Sequence, residues 1–341
     1  LQSMMARQVA LTVEYNGKDI SETLSESLIR FEYGDNASGL LDDLAITLED
    51  AERRWQGPWS PAEGDTIVAR IKTINWDGPN EFKYLPCGKF EIDTCDTSGA
   101  PDTVAIGAVS LPAGSTVRRQ RNTRAWEKVT LKTIAADVAK TAGLKLRYEA
   151  PDNPTYDRLE QREQSDLGFL VEQCAREGIA VKISSGQLVL FDEAVYEARE
   201  AVCDLVRGAD AVISHSFNWS IADAAYRACE LTYTDTKSKT LKATYTPPGA
   251  PKTGPTLKVN ESAASPAEAL RIAKQRLREK NKNYGKASLS LAGDVRMAAS
   301  STINVKGWGR FDGKYIIESA RHTVDSSGYR TDIQIRKVLG W

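Results

Sequence analysis

The sequence has only two histidines, His215 and His322, and five scattered cysteines, Cys87, Cys95, Cys174, Cys203 and Cys229, with no C-x-x-C pair. So sparse a supply of soft ligands offers no closely spaced cluster for a structural or catalytic zinc, and neither a metal nor another cofactor is expected. An odd, dispersed set of cysteines argues against a disulfide framework and for synthesis in a reducing compartment. The Asn-x-Ser sequons at Asn36, Asn218 and Asn260 therefore read as chance matches. Apolar runs fall well short of the ~20 residues a membrane helix needs, so no membrane insertion is expected. The N-terminus lacks the charged-then-apolar layout of a signal peptide, and Leu1-Gln-Ser-Met4 reads as expression-tag residue in front of a native start at Met4 or Met5. A basic excess is missing too: 45 Lys and Arg stand against 46 Asp and Glu. That balance argues against a dedicated or sequence-specific nucleic-acid binder.

The constellations that carry chemistry are thin as well. A Cys203–His215 dyad would need a thiolate, an adjacent imidazole and a third orienting group, and the flanking residues supply no helix start to lower the thiol pKa. His322 falls on an alternating strand and reads as structural or surface. Asp42-Asp43 is a carboxylate pair of the kind glycosidases use, but beside a strand it reads as a solvated turn. No catalytic, cofactor-binding or metal-ligating residue is assigned. Two basic stretches, Arg118 to Lys132 and Arg271 to Lys286, carry no interleaved aromatics. They read chiefly as solvated surface, then as docking sites for acidic neighbours, and least as contacts to a nucleic-acid backbone. Trp308, in Gly307-Trp-Gly309, is expected to cover a barrel end or an interface.

What the chain does have is alternation. Residues 5–112 carry period-two runs at Val9–Tyr15, Leu28–Tyr33, Leu44–Leu48, Ile67–Ile74, Phe82–Leu85, Lys89–Cys95 and Val104–Val109, with Asn16-Gly17 as a tight-turn dipeptide. Residues 113–204 change period. Leu131, Ile134, Ala135 and Val138 share a helical face behind Thr130, and a strand follows at Leu144–Tyr148. The unit recurs with Ser165 as cap, Leu167, Leu170, Val171 and Cys174 on one face, Gly178 as stop and a strand at Ile179–Ile183, then a hairpin into Leu188–Phe191. Residues 205–341 return to alternation at Val212–Trp219, Tyr226–Thr234, Thr240–Tyr245, Lys286–Leu291 and Thr302–Lys306. Within them Ser265-Pro-Ala-Glu268 opens a capping box over helix 266–283. On that helix Leu270, Ala273 and Leu277 are expected to pack inward, while Arg271, Lys274, Arg278 and Lys282 look outward to a neighbour or a lumen.

The C-terminal run Phe311 to Lys337 reads as a hairpin turning at Ser326-Ser-Gly328. Its pattern of Gly-x-Tyr, a histidine, then Gly-Tyr-x-Thr-x-Ile-x-Ile-x-Lys resembles the end of the phage late control protein D family, the hub proteins of contractile-tail baseplates. Phe31-Glu-Tyr-Gly-Asp35 with Asp42 to Asp50, Trp59-x-Pro61-x-x-Gly64-Asp65, and Gln164-Ser-Asp166-Leu-Gly-Phe169-Leu170 ending at Glu177-Gly178 are similar to further motifs of that family, in the same order. Gln164 stands where glutamate is commoner.

The resemblance implies a mainly β fold with an α+β insert: two antiparallel tail-tube-like β-barrels, 5–112 and 205–341, flanking a small α/β domain. It also implies a virion component, built in a bacterial host, that trimerises around a channel wide enough for duplex DNA and joins a hexameric tail tube to a trimeric puncturing spike. Superposing the two β regions should then reveal one shared strand order. The family is related to the N-terminal part of type VI secretion spike proteins. A chain ending at Trp341 without a β-helix is expected of a free-standing hub rather than a fused spike. The alternative is a particle-associated peptidoglycan-cleaving enzyme or glycan-binding module, which would need a pocket with convergent polar groups.

Overall fold

The computed structural model describes residues 6–112, 114–208, 212–234 and 239–341; the expected start at Met4 or Met5 lies outside them. The alternation of the first region becomes strands β1 (Gln8–Tyr15), a two-residue β2 (Lys18–Asp19), β3 (Leu28–Asn36), β4 (Asp43–Glu49), β5 (Thr66–Ile74), β6 (Phe82–Ser98) and β7 (Thr103–Val109). A short helix, α1 (Ser21–Ser27), precedes β3. Every second residue points to one core, in which Val13, Phe31, Ile46, Leu48, Ile67, Ile71 and Phe90 are buried.

The middle region holds β8 (Arg121–Thr130), α2 (Leu131–Thr141), β9 (Lys145–Tyr148), β10 (Thr155–Ser165), α3 (Asp166–Arg176), β11 (Ile179–Ser184), β12 (Gln187–Asp192) and α4 (Glu193–Ala198). The two caps act as expected: the Thr130 and Ser165 hydroxyls accept from the backbone N–H of Thr133 and Gly168. Leu131, Ile134 and Val138 of α2 meet Phe169, Leu170 and Cys174 of α3 in a second core. Much of the first basic stretch forms β8, paired antiparallel with β10, and it runs directly into α2, which carries Lys132.

The last region holds β13 (Asp204–Val206), β14 (Val212–Trp219), β15 (Ala228–Thr234), β16 (Thr240–Tyr245), β17 (Thr256–Asn260), α5 (Pro266–Asn281), β18 (Gly285–Ala292), β19 (Thr302–Lys306), β20 (Gly313–Asp325) and β21 (Gly328–Lys337). Here the structure corrects the sequence. Strands β15, β16 and β17 do not join the main sheet; they form a separate three-stranded sheet under α5. The face of α5 that packs there is Ala269, Ile272, Ala273 and Leu277, whereas Leu270 is 43% exposed. Arg278, expected to face outward, is buried.

The remaining strands expose an internal repeat. The first region is ordered β3-β4-β7-β6-β5-β1 and the last β14-β18-β21-β20-β19-β13. Counted within its own unit, each reads second-third-sixth-fifth-fourth-first. Irregularities fall at matching places: β3 and β14 bulge at Ile29 and Ile213, β6 and β20 at Asp93 and Glu318. Beside the latter bulges the backbone bonds also match. Ile92 accepts from Gly64 N–H and donates to the Asp65 carbonyl, and Ile317 accepts from Ser300 and donates to Ser301. The units differ at their first strand: β1 runs antiparallel to β5 while β13 runs parallel to β19.

Both units share one 13-stranded sheet, because Ser319–Asp325 of β20 pair with Arg30–Asn36 of β3. Among the described residues the pairings trace an open path and close neither unit into a barrel.

Candidate functional site

The seam between β20 and β3 is the most elaborately built part of the molecule. On its inner face lies His322, fully buried and stacked against Tyr33 and Tyr329. Its Nε2 is 2.9 Å from the Met297 carbonyl, which can only accept, so Nε2 carries the proton. Nδ1 then accepts from the Tyr329 hydroxyl at 2.8 Å. Burial pushes the imidazole pKa down to about 4, so the ring is neutral at physiological pH. A neutral, fully bonded ring closed off from solvent is a packing element and has no access to a substrate.

Beside it, Lys182 of β11 reaches over the seam to Asp35 and Asp42, and also donates to the Asn36 carbonyl at 2.6 Å. Burial opposes the Lys182 charge, but the two carboxylates outweigh it and hold its pKa above the ordinary value. Burial raises Asp42 to about 6, with Lys182 partly offsetting the effect. Asp42 is thus no solvated turn residue: it is 1% exposed and part of a buried ion network. Its neighbour Asp43 pairs with Arg321 at 3.2 Å across the outer face of the seam. Gly34 makes room for that pair, since a Cβ there would lie 2.3 Å from the Asp43 carboxylate. These contacts fix the middle region to the first β unit.

A second network fixes it to the last one. Glu197 of α4 accepts from Arg278 and Arg336, each at 2.7 Å. Its burial works to raise the pKa, but the two guanidiniums prevail and hold the carboxyl below the usual range. Most other cations of α5 and its C-cap are also paired: Arg271 with Glu177, Arg276 with Glu261 and Glu279, Lys280 with Asp223 and Lys282 with Glu193, whereas Lys274 makes no ion pair among the described residues. The second basic stretch is therefore largely neutralised within the chain, which corrects the expectation of an outward basic docking face. Apart from Glu279, three residues along α5 from Arg276, these partners lie on other elements, where sequence alone gives no hint of them.

The residues weighed for chemistry are not brought together. His215 is exposed beside Trp308 and Phe217. Burial pushes the Cys203 thiol up to about 11, opposite to what a nucleophilic thiolate requires. Among the described residues no group of His, Cys, Asp and Glu could hold a metal. An open groove of about 420 Å³ is flanked by Tyr226, Pro248, Tyr284 and Trp341 and lined mainly by apolar and proline residues. Trp308 is buried against the aromatic cluster of Phe217 and His215 in the last unit.

What remains open is sheet edge. Among the described residues strand β14 pairs only with β18, and along it Ile213 is 64% and Trp219 42% exposed, with Ile221 at 67% just beyond. The second half of β6, Asp93–Ser98, pairs only with β7 and is exposed on both faces.

The profile of the phage tail baseplate hub (GPD) family matches residues 107–328, more than half of the chain. A probable baseplate hub protein of Escherichia phage 186 is 23% identical over 97% of this chain and 93% of its own length. One from Escherichia phage P2 is 28% identical over 53% of this chain and 46% of its own length. Among solved structures, the tail protein from Neisseria meningitidis MC58 superposes with a TM-score of 0.74 at 13% identity, covering 98% of each chain. The 43 kDa tail protein of prophage MuSo2 from Shewanella oneidensis gives 0.71 at 14%, over 97% and 98%. The E. coli c3393 protein, a component of the type VI secretion system, gives 0.55 at 12%, over 92% of this chain and 74% of its own. At such identities the structural likeness is one of fold. The family match itself runs from β7 through the insert to the turn after β20, so that it takes in the β20 side of the seam, and the chain belongs to the phage tail baseplate hub (GPD) family.

Proposed function

We propose that this protein is the structural hub of a contractile-tail baseplate, with three copies forming an adaptor between a sixfold tail tube and a threefold puncturing spike. The observation that carries this reading is the internal repeat: two units of one strand order, joined through a continuous sheet, sit in each chain. Three such chains present six similar units around one axis, which reconciles the two symmetries without a sixfold protein. A closed ring of this kind needs a heterologous contact, and two of the open edges, β14 and the end of β6, are different surfaces. The role is structural. The buried neutral His322, the occupied cations and the raised Cys203 thiol support assembly rather than catalysis.

The division of labour follows the two networks. The insert, spanning about 113–204, is a brace held by Lys182 on one unit and Glu197 on the other. The test is electron microscopy of the purified chain, alone and with tail-tube and spike proteins of the same particle. Rings of three chains with six similar lobes are expected. A twofold particle, or a complex with tube and spike containing a single copy, overturns the reading.

A further inference from the structure

The repeat allows each residue at the internal seam to be matched with its counterpart in the other unit. Through the aligned bulges and pairings, Arg30–Asp35 of β3 correspond to Ser214–Trp219 of β14, and Ser319–Thr323 of β20 to Thr94–Ser98 of β6. The internal seam joins β20 to β3. Its counterpart would join β6 to β14, yet within one chain those strands do not pair.

The two sets of residues differ in burial as this mismatch requires. Ala320, His322 and Thr323 are buried in the seam. Their counterparts Cys95, Thr97 and Ser98 are exposed. Phe31, Tyr33 and Asp35 are buried on β3, whereas His215 and Trp219 on β14 are exposed and Phe217 is half-buried. Both half-strands thus carry unpaired backbone donors and acceptors, an arrangement proteins ordinarily cover or disrupt.

We propose that the second half of β6 in one copy pairs antiparallel with β14 of the next copy, repeating the internal seam between chains. The register follows from Ala320↔Asp35, Arg321↔Gly34, His322↔Tyr33 and Thr323↔Glu32. It sets Cys95 opposite Trp219, Asp96 opposite Asn218, Thr97 opposite Phe217 and Ser98 opposite Ser216. The backbone bond from Ala37 N–H to the Glu318 carbonyl, 3.0 Å, has its counterpart in one from Ile221 to Asp93. That bond would bring the exposed Ile221 against the sheet.

Charge supplies an independent argument. Across the internal seam Arg321 pairs with Asp43. By the same matching, Arg321 corresponds to Asp96 and Asp43 to Lys286. The intermolecular counterpart is therefore again an oppositely charged pair, with the signs exchanged between the strands. Asp96 is exposed and the Lys286 side chain is 47% exposed, its contact to Glu318 being a loose 3.7 Å. Each copy offers one β14 and one β6 end, so the contact is head-to-tail and closes into a ring or runs on as a filament. The proposal takes only the number of copies from the trimer reading; the contact itself stands on the repeat.

Mild oxidation of the Trp219→Cys variant tests the register, because native Cys95 of the next copy would face the new thiol. Covalent dimers and trimers are expected, and they should vanish when Cys95→Ser is added. The exposed pair Ser98→Cys with Ser216→Cys serves as a second crosslink should loss of the Trp219 ring disturb folding. Asp96→Lys should weaken association by about tenfold or more through like-charge contact with Lys286, and adding Lys286→Asp should restore it. If sedimentation shows a trimer but neither crosslink forms at that concentration, the interface is wrong and the hub reading survives. Monomers at every concentration, without crosslinks, alone or with tube and spike proteins present, overturn both.

Discussion

Arg278 and Glu197 meet at 2.7 Å with both side chains about 3% exposed, and Arg336 reaches the same carboxylate oxygen, also at 2.7 Å. One acid thus bridges two guanidiniums taken from α5 and β21, with Glu318 and Glu193 adding contacts to Arg336 at 3.4 and 3.7 Å, and ties α4 of the insert to both the main sheet and the small α5 sheet. Leu339 N–H adds a bond to its second oxygen. Removing one partner of a buried pair leaves charge without compensation, which costs far more than the pair contributes when intact.

Glu197→Ala should therefore destabilise the protein by about 3–5 kcal/mol, with Glu197→Gln also destabilising. Urea denaturation at neutral pH measures it. The folded carboxyl lies below its ordinary 4.5. Its contribution is thus fully present above that pH and is lost as pH falls through the lower folded value. Wild type should lose stability on acidification below about pH 4.5, and the Gln variant should lack that component.

His322 acts over a different window. Its pKa is lowered from 6.5 to about 4 by burial, so the unfolded chain takes up a proton that the native state refuses. The stabilisation is complete above pH 6.5 and is lost progressively as pH falls toward 4. A shift of that size corresponds to roughly 3 kcal/mol between these limits. Groups facing the ring from neighbouring elements are Asp35 and Asp294, and both favour the charged form without overcoming burial. His322→Gln should flatten the stability profile between those pH values while lowering stability at neutral pH. A variant whose profile still follows wild type would place the titration elsewhere.

The helix α5 separates two leucines that the sequence grouped together. Leu277 is fully buried and Leu270 is 43% exposed. Leu277→Ala should cost about 2–5 kcal/mol by leaving a cavity. Leu270→Ala should stay within about 0.5 kcal/mol of wild type. Equal effects for both would contradict the packing of this helix on β15 and β16.

That contrast shows where the sequence was legible. Strands of the main sheet announced themselves because one face is buried and the other wet, so Val9 to Tyr15 or Ile67 to Ile74 alternate without interruption. The capping residues Thr130, Ser165 and Ser265 marked helix starts for an equally local reason. Thr155 to Ser165 stayed hidden because β10 is rich in charged residues and pairs only with β8. Helix α4 is a single short segment whose signal, Asp192 as cap, was too brief to read. The ion networks were invisible for a different reason: Lys182 finds Asp35 and Asp42, and Arg278 finds Glu197, only after distant segments have packed. A charged residue on a helical face reads as solvated until its partner is placed. The repeated strand order was expected from the family resemblance, but the bulges that allow the two units to be matched residue by residue emerge only from the pairings.

Gly293 provides the sharpest test of seam geometry. A Cβ built there would lie 1.9 Å from the Tyr329 ring, a distance no rotation of the new methyl can relieve. Tyr329 is itself buried, and its hydroxyl donates to His322. Gly293→Ala must therefore displace the ring, and overpacking of this kind costs about 1–3 kcal/mol. The same displacement removes the closer hydroxyl from His322 Nδ1, leaving Thr331 at 3.2 Å, and lets water approach the imidazole, so the pKa of His322 should rise toward its ordinary value. Gly293→Ala combined with Tyr329→Ala relieves the clash but not the lost bond. It should recover packing strain while keeping the raised pKa. NMR titration of His322 reads the pKa, and urea denaturation reads the packing strain. An unshifted His322 in the Gly293→Ala protein would mean that Tyr329 does not hold the imidazole in place.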